Sequence, residues 1–150
     1  DRTLIRVDHG PFLTNEQHIY RKWLKKYLLP TEIIYDPDLL SDVKKELHEY
    51  FIGSRTSFTV PFQLIGTTFQ KRVLEALLKV PFGEVKTYQY LAEQIGKSGA
   101  TQAVGGALNQ NPLTIIIPCH RIVGKNGALT GYRGGIERKQ FLLRLENNSL

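Results

Sequence analysis

Residues 87–121 read TYQYLAEQIGKSGATQAVGGALNQNPLTIIIPCHR and carry the strongest structural signal in the chain. Thr87 is a suitable cap for a short helix over residues 88–95. The glycine-containing turn at residues 96–99 separates this helix from a second one over residues 100–110. Two short helices joined in this way predict a helix-turn-helix, although ordinary helical hairpins share the pattern.

The second of these helices contains Gly105 and Gly106 in its interior. A glycine inside a helix costs ~1 kcal/mol relative to alanine, so two adjacent glycines need a physical reason. One reason is the close approach of another backbone, such as a nucleic acid groove. The other is tight helix packing inside the protein, and the sequence leaves both open.

The rest of the chain supports an α/β fold. The β-branched run at residues 113–117 predicts a buried strand that leads into Pro118-Cys119-His120-Arg121. Thr67 and Gln70 have the spacing of a capping box, which predicts a helix that ends before Pro81. Further helices are predicted over residues 38–51 and 136–146, whereas residues 19–27 fit a helix and a strand equally well.

The charge of the chain is unevenly distributed. Residues 1–67 contain nine basic and nine acidic residues, and residues 68–150 contain eleven basic and five acidic residues, so the second part carries the whole net charge of +6. A basic half beside a neutral half favours a polyanionic partner, because phosphates attract it and release counterions. A merely basic surface is the alternative.

Composition also argues against several classes of protein, among them disulfide-bonded, membrane-spanning and metal-binding proteins. One cysteine forms no disulfide within the chain, which fits a reducing compartment, and we expect a cytoplasmic protein, or a nuclear one in a eukaryote. No stretch approaches the ~20 apolar residues of a membrane helix. The histidines show no metal-ligand spacing, so no bound metal is expected; they are His9, His18, His48 and His120.

Cys119 is the candidate nucleophile. A lone cysteine is most often a small buried hydrophobe. A thiolate, however, needs a base or a positive field, and His120 and Arg121 can supply both. Glu146 is a candidate to orient the histidine because it falls on the inward face of the last predicted helix; a surface glutamate is the commoner case for such a position.

Residues 115–123, IIIPCHRIV, resemble the active-site signature of the O6-alkylguanine-DNA alkyltransferases, also called methylated-DNA–protein-cysteine methyltransferases. The resemblance covers about residues 38–147. Six further blocks follow the order and spacing of that family: GTTFQ at 66–70, VPFGEV at 80–85, TYQYLA at 87–92, AVGGA at 103–107, NP at 111–112 and GYRGG at 131–135.

The resemblance implies direct-reversal DNA repair. A methyl or small alkyl group would pass from O6-alkylguanine in duplex DNA to Cys119, once per protein molecule, after the base has been flipped out; O4-alkylthymine is a further candidate substrate. The implied fold has a small mixed N-terminal lobe, residues 1–62, resembling an incomplete ribonuclease-H-like sheet, and a mainly helical C-terminal domain, residues 63–150. A monomer whose partner is double-stranded DNA is expected.

The resemblance also implies residue roles. His120 would act as a base through a water molecule, Glu146 would orient it, and Asn111 would hold the active-site turn. Tyr88 would assist rotation of the flipped nucleotide and protonate the leaving guanine. The implied DNA contacts are Gln70, Tyr88, Gln89, Lys97, Gln102, Ala103, Gly105, Gly106, Arg121 and Lys125, and the implied pocket residues are Ile122, Gly131, Tyr132 and Arg133.

Gln102 departs from the family, which usually has an arginine at this position to fill the gap left by the flipped base. Glutamine can still hydrogen-bond an orphaned base, so we expect activity to survive with slower flipping or weaker binding. Two other classes remain as alternatives: a non-catalytic damage-binding relative, which would lack the cysteine, and a helix-turn-helix transcription regulator, which would carry polar base-reading residues instead of Ala103 and Gly106.

Overall fold

The computed structural model describes residues 3–10 and 17–147. Within these ranges the chain is a mixed α/β protein with six α-helices and one two-stranded parallel sheet. The helices are α1 Gln17–Lys26, α2 Ser41–Phe51, α3 Thr68–Leu77, α4 Tyr88–Gln94, α5 Thr101–Asn109 and α6 Ile136–Glu146. The strands are β1 Lys86–Thr87 and β2 Ile122–Val123, and 3₁₀ turns occupy Asp38–Leu40, Cys119–Arg121 and Lys125–Gly127. None of the described helices is long and apolar enough to cross a membrane.

Helix α3 begins at the predicted capping box. Gln70 N donates to Thr67 Oγ1 at 3.2 Å, and Thr67 N donates to Gln70 Oε1 at 2.8 Å. The two bonds satisfy backbone donors that the first helical turn leaves free, so the prediction is confirmed. Helices α3, α4 and α5 pack against one another around a shared apolar core, which includes Val73, Leu74, Leu77, Leu91, Ala92, Val104, Ala107 and Leu108.

The two helices predicted from residues 88–110 are confirmed within one residue at each end. Thr87 Oγ1 accepts from Tyr90 N at 3.1 Å and caps α4 as expected. Gln89 joins the helices, since its Nε2 donates to Ser98 O at 3.2 Å and its Oε1 accepts from Thr101 Oγ1 at 2.8 Å. These bonds hold α5 in place, and its end leads directly to the residues around Cys119.

The predicted strand at residues 113–117 is wrong. The segment is a tight turn in which Ile117 N donates to Leu113 O at 2.8 Å and Ile115 has a φ of 73°. Asn111 closes this turn, because its Oδ1 accepts from Leu113 N and its Nδ2 donates to Ile117 O, both at 3.0 Å. The run is buried as expected, but its residues form a chain reversal and not a strand of a sheet.

The N-terminal region differs from the ribonuclease-H-like lobe that the resemblance implies. Before α3, the described residues contain α1, a 3₁₀ turn, α2 and isolated bridges but no strand. The backbone of residues 3–7 forms hydrogen bonds with distant segments of the chain instead of with a neighbouring strand: Leu4 N donates to Pro61 O, and Val7 N donates to Pro112 O. Residues 17–26 form a helix, which settles the ambiguity of that stretch.

Helix α2 directs a tyrosine into the interior. The prediction of a helix over residues 38–51 is confirmed, with a 3₁₀ turn preceding α2. Glu46 on α2 is buried and accepts hydrogen bonds from Thr59 N at 2.8 Å and Val60 N at 3.2 Å. This anchor ties α2 to the extended connector before α3, and on its next turn Tyr50 is completely buried.

Candidate active site

Cys119 begins the 3₁₀ turn Cys119–Arg121 and retains only 7% of its surface exposed. Asn111 Nδ2 donates to its Sγ at 3.2 Å, in addition to holding the preceding turn. Burial raises the pKa of the Cys119 thiol, while the Asn111 hydrogen bond and the positive charges of Lys139 and Arg133 oppose that rise. The thiol is therefore protonated at rest, and a base is needed to form the thiolate.

His120 and Glu146 form a completely buried pair, with 2.7 Å between His120 Nε2 and Glu146 Oε1. Burial alone would raise the pKa of Glu146, but hydrogen bonds from His120 and Arg121 lower it to about 2. The carboxylate is consequently ionised and can only accept hydrogen bonds. The proton on the facing histidine nitrogen must then reside on Nε2.

This tautomer leaves a basic nitrogen at the site. Burial lowers the pKa of His120 below its usual value, although Glu146 pulls in the opposite direction, so the imidazole is neutral. With the proton on Nε2, Nδ1 carries the lone pair. His120 Nδ1 is buried and has no hydrogen-bond partner within the described part of the chain. This nitrogen is available to accept a proton.

Arg121 faces the interior, which argues against the DNA contact expected for it. Its Nε and Nη2 donate to the two oxygens of Glu146 at 2.8 and 2.9 Å, and its Nη1 donates to Val80 O at 2.7 Å. The side chain is buried and uses these donors within the protein. Arg121 thus balances the charge of Glu146. Its position in the sequence, two residues after Cys119, did not predict this role.

Two site residues were missed by the sequence reasoning. Lys139 is buried on α6, and its Nζ donates to Ile122 O and, at 3.0 Å, to Thr130 O. Burial lowers the pKa of Lys139, and the negative charge of the Cys119 thiolate opposes that shift. Lys139 lies at helical spacing from Leu142 and Glu146, on a buried face, so the sequence pattern could have predicted that its side chain faces the interior. Tyr50 is the second missed residue. In the sequence it belongs to the apolar stripe of α2, which is typical of an ordinary core position.

The loop at residues 130–135 is held beside Cys119 from two sides. Tyr88 OH donates to Thr130 O at 3.0 Å, and a side chain added at Gly131 would lie 3.2 Å from that hydroxyl. The buried Tyr132 has its hydroxyl 2.8 Å from His9 Nε2. Two further candidate pocket residues are also placed: Arg133 forms an ion pair with Asp8, and Ile122 is buried beside Lys139.

Helix α5 presents a smooth exposed face. Gln102, Ala103 and Gly106 are exposed, and a Cβ added at Gly106 would meet nothing within 4 Å. At Gly105 a Cβ would make ordinary contact with the Tyr88 ring, at 3.8 Å. Tight internal packing therefore does not explain Gly106, which leaves the approach of an external backbone as the remaining reason.

The other candidate DNA contacts differ in their exposure. Lys97 is exposed with its Nζ 5.9 Å from the centre of the Phe69 ring, and Lys125 is exposed in its 3₁₀ turn. Gln89 is exposed but bonded to the turn, whereas Gln70 is half-buried in the capping box. Among residues 3–10 and 17–147, no group of three His, Cys, Asp or Glu side chains is placed to hold a metal ion.

Comparisons with known proteins find similar sequences and structures. A family model described as the DNA-binding domain of 6-O-methylguanine DNA methyltransferase matches residues 68–148. A methylated-DNA–protein-cysteine methyltransferase of Mycobacterium tuberculosis is 45% identical over 147 residues, 97% of this chain and 86% of that protein. An inducible protein of the same description from Bacillus subtilis is 44% identical over 128 residues, 85% of this chain and 72% of that protein. The crystal structure of Mycobacterium tuberculosis OGT in complex with DNA has a TM-score of 0.71 at 51% identity, covering 72% of this chain and 67% of that chain.

Proposed function

The chain belongs to the 6-O-methylguanine DNA methyltransferase family, whose members repair DNA by moving an alkyl group onto a protein cysteine, and we propose that Cys119 is the residue that accepts it. The sequence contains no other cysteine. The observation that carries the assignment is the position of Cys119 next to a neutral histidine with a free basic nitrogen.

The proposed reaction begins with loss of the thiol proton. His120 Nδ1 takes this proton through a water molecule, and the positive charge that develops on the imidazole is stabilised by the Glu146 carboxylate at 2.7 Å. Asn111 Nδ2 and the nearby Lys139 ammonium stabilise the thiolate. Both groups favour the charged sulfur and so offset part of the cost of its burial.

The thiolate then attacks the alkyl carbon attached to O6 of guanine. A sulfur–carbon bond forms while the carbon–O6 bond breaks, and the electron pair of the broken bond remains with guanine. The Tyr88 hydroxyl exchanges its hydrogen bond to Thr130 O for one to the flipped guanine, gives guanine its proton and recovers a proton from the protonated His120 through solvent. The products are a thioether on Cys119 and unmodified guanine, and since a thioether is not readily reversed, each protein molecule acts once.

Access to the lesion requires a flipped nucleotide. The O6-alkyl carbon is unreachable inside a stacked duplex, and extruding the base costs a few kcal/mol. Helices α4 and α5 act as a helix-turn-helix, with the exposed face of α5 against the minor groove, which is ~6 Å wide and favours small side chains. Gln102 lies on this face and takes the place of the flipped base in the stack.

The flipped base enters the pocket bordered by Tyr132 and the loop at residues 130–135. Phosphates are contacted by exposed cations around α5, among them Lys97 and Lys125. One monomer acts on one lesion without a cofactor. Residues 63–150 form the transferring domain and residues 1–62 form a supporting lobe, whose Asp8 and His9 brace the pocket loop through Arg133 and Tyr132.

The direct test is mass spectrometry of the protein after incubation with a duplex containing a single O6-methylguanine. We expect the peptide containing Cys119 to gain the mass of one methylene, in a stoichiometry of one per chain. Cys119→Ala should show no gain, and His120→Gln should show the same gain at a rate lower by about 10²–10⁴-fold, because general-base catalysis contributes that much. A second duplex with O4-methylthymine tests the pyrimidine substrate.

The alternatives make different predictions in the same experiment. If the protein binds the damaged duplex but gains no mass, Cys119 is not an acceptor and the chain is a damage-recognition module. If Cys119→Ala gains the same mass as the parent, another side chain accepts the alkyl group. An equal rate for His120→Gln would remove the histidine from the mechanism while leaving the transfer itself in place.

A further inference from the structure

The Tyr50 hydroxyl is a buried polar group that the mechanism above does not use. Tyr50 lies on the last turn of α2 and is completely buried, although 96 positions separate it from Glu146. Its hydroxyl donates to Glu146 Oε1 at 2.7 Å and lies 3.5 Å from His120 Nε2. The hydroxyl thus contacts the same carboxylate oxygen that accepts the hydrogen bond from His120 Nε2.

Glu146 Oε1 is shared by three donors. His120 Nε2 approaches at 2.7 Å, Tyr50 OH at 2.7 Å and Arg121 Nη2 at 2.9 Å. A carboxylate oxygen that accepts several charge-assisted hydrogen bonds has less electron density for each of them. The attraction of Glu146 for the histidine proton therefore depends on how many other donors hold the same oxygen.

The hydroxyl proton of Tyr50 is firmly retained. Burial and the neighbouring Glu146 charge raise the pKa of Tyr50, so the group remains a donor over the whole working range of pH. Its ring is also fixed, since it packs against Phe58 at 5.4 Å and Phe82 at 6.2 Å between centroids. A fixed donor on an ionised acceptor restricts the rotation of that carboxylate.

We propose that Tyr50 is a positioning residue of the proton relay: its hydroxyl orients the Glu146 carboxylate toward His120 and limits how strongly Glu146 attracts the histidine proton. This inference rests on the proposed function of His120 as the base. It also assigns a direct role to the N-terminal half, because Tyr50 lies outside residues 68–148, the segment that matches the family model.

Several charged or titratable groups influence His120, and the test must separate Tyr50 from them. On either side of His120 along the chain are Cys119 and Arg121, and α6 contributes two groups of opposite charge. The N-terminal segment adds a further histidine at longer range. Among the residues that the structure describes, these groups include Tyr50 from α2, Glu146 and Lys139 from α6, Cys119 and Arg121 from the same turn, and His9.

The experiment compares the parent chain with Tyr50→Phe, which removes only the hydroxyl. Two quantities are measured for each protein: the NMR titration of His120, assigned by loss of its signal in His120→Gln, and the single-turnover rate of transfer from O6-methylguanine DNA against pH. Without the Tyr50 donor, Oε1 attracts the histidine proton more strongly. We expect the pKa of His120 to rise by on the order of one pH unit, with the acid limb of the rate profile moving equally and the rate at neutral pH falling about 3- to 10-fold.

Phe58→Leu is the matched control, because it loosens the packing around the Tyr50 ring and keeps the hydroxyl. It should move the His120 titration and the rate profile much less than Tyr50→Phe does, because the donor itself remains. Should Tyr50→Phe fold poorly, incorporation of 3-fluorotyrosine at position 50 provides the second variant. Its more acidic hydroxyl is a stronger donor, so the pKa of His120 should fall.

An unchanged His120 titration in Tyr50→Phe, or equal shifts in Tyr50→Phe and Phe58→Leu, would overturn the role proposed for Tyr50. The two proposals fail separately, because the histidine titration does not require transfer. A parent chain that titrates as expected but transfers no methyl group would refute the proposed function. A parent that transfers normally beside an unshifted Tyr50→Phe would refute only the present inference.

Discussion

The buried ion pair of Glu146 and Arg121 places two opposite charges where water cannot solvate them. Each charge is tolerated because the other neutralises it through two hydrogen bonds, at 2.8 and 2.9 Å. Removing one partner of such a pair leaves the other uncompensated in a medium of low dielectric constant. Loss of the Glu146 carboxylate should therefore cost much of the stability of the folded protein.

We predict that Glu146→Gln lowers the free energy of unfolding at neutral pH by about 3–5 kcal/mol. The difference between parent and variant should shrink in acid. Because the folded-state pKa of Glu146 is about 2, below its ordinary value of 4.5, its contribution is present above about pH 4.5 and is lost as the pH falls toward 2. Urea unfolding at about pH 7, 5 and 3 measures this difference.

Glu75→Gln is the control for this change, since Glu75 is exposed on α3. It should alter the free energy of unfolding by less than about 0.5 kcal/mol at each pH. A constant gap between the parent and Glu146→Gln from neutral to acid pH would contradict the ionised, buried state of Glu146.

At the scale of elements, α5 combines a packed face with a bare one. Val104, Ala107 and Leu108 are buried against α3 and α4, while Ala103 and Gly106 are exposed. Stability of the helix comes from the packed face, because a helix of this length is marginal on its own. The exposed face takes no part in this packing, so its residues can be small enough to suit the surface that the helix approaches.

We predict opposite effects of two substitutions at Gly106. Gly106→Ala should stabilise the fold by about 1 kcal/mol, since a Cβ there meets nothing within 4 Å and alanine is the better helix former. Gly106→Leu should also fold but weaken binding to duplex DNA at least about tenfold, because its side chain projects from the face assigned to the minor groove. Chemical denaturation and fluorescence anisotropy measure the two effects.

Gln140→Leu, on an exposed position of α6, controls for a general effect of surface leucine on DNA binding. It should bind DNA as the parent does. Undiminished binding by Gly106→Leu would exclude the α5 face from the groove.

For the whole molecule, the uneven distribution of charge favours the C-terminal half as the part that binds DNA. The net charge of +6 lies within residues 68–150, the part that contains α3 to α6 and Cys119. Electrostatic attraction of this half brings phosphates toward the site without sequence preference. A repair protein that must search all DNA is suited by such non-specific attraction.

We predict that binding to undamaged duplex weakens linearly in log–log plots against salt concentration. Lys97→Gln and Lys125→Gln should each reduce the magnitude of the slope by about 0.9, the value for one phosphate contact. Lys44→Gln on α2, an exposed lysine in the neutral half, should leave the slope unchanged. If all three variants change the slope equally, the basic half does not direct binding.

Local patterns predicted much of the helical structure. The capping box at Thr67 and Gln70 and the bounds of α6 agree with the structure, because these features depend on residues within one helical turn of each other. The run at residues 113–117 shows where local reasoning fails. Its β-branched residues predict a strand, yet hydrogen bonds from Asn111 reverse the chain there.

The sequence by itself determined the positions of helices α2 to α6, the single cysteine beside a histidine and the basic half, since these depend on neighbouring residues and on composition. Only the tertiary structure decided that Arg121 turns inward to Glu146 and that Tyr50 and Lys139 reach the same site. The physical reason is distance along the chain. Buried polar groups must find partners wherever packing brings them, and a partner 96 residues away leaves no trace in a local pattern.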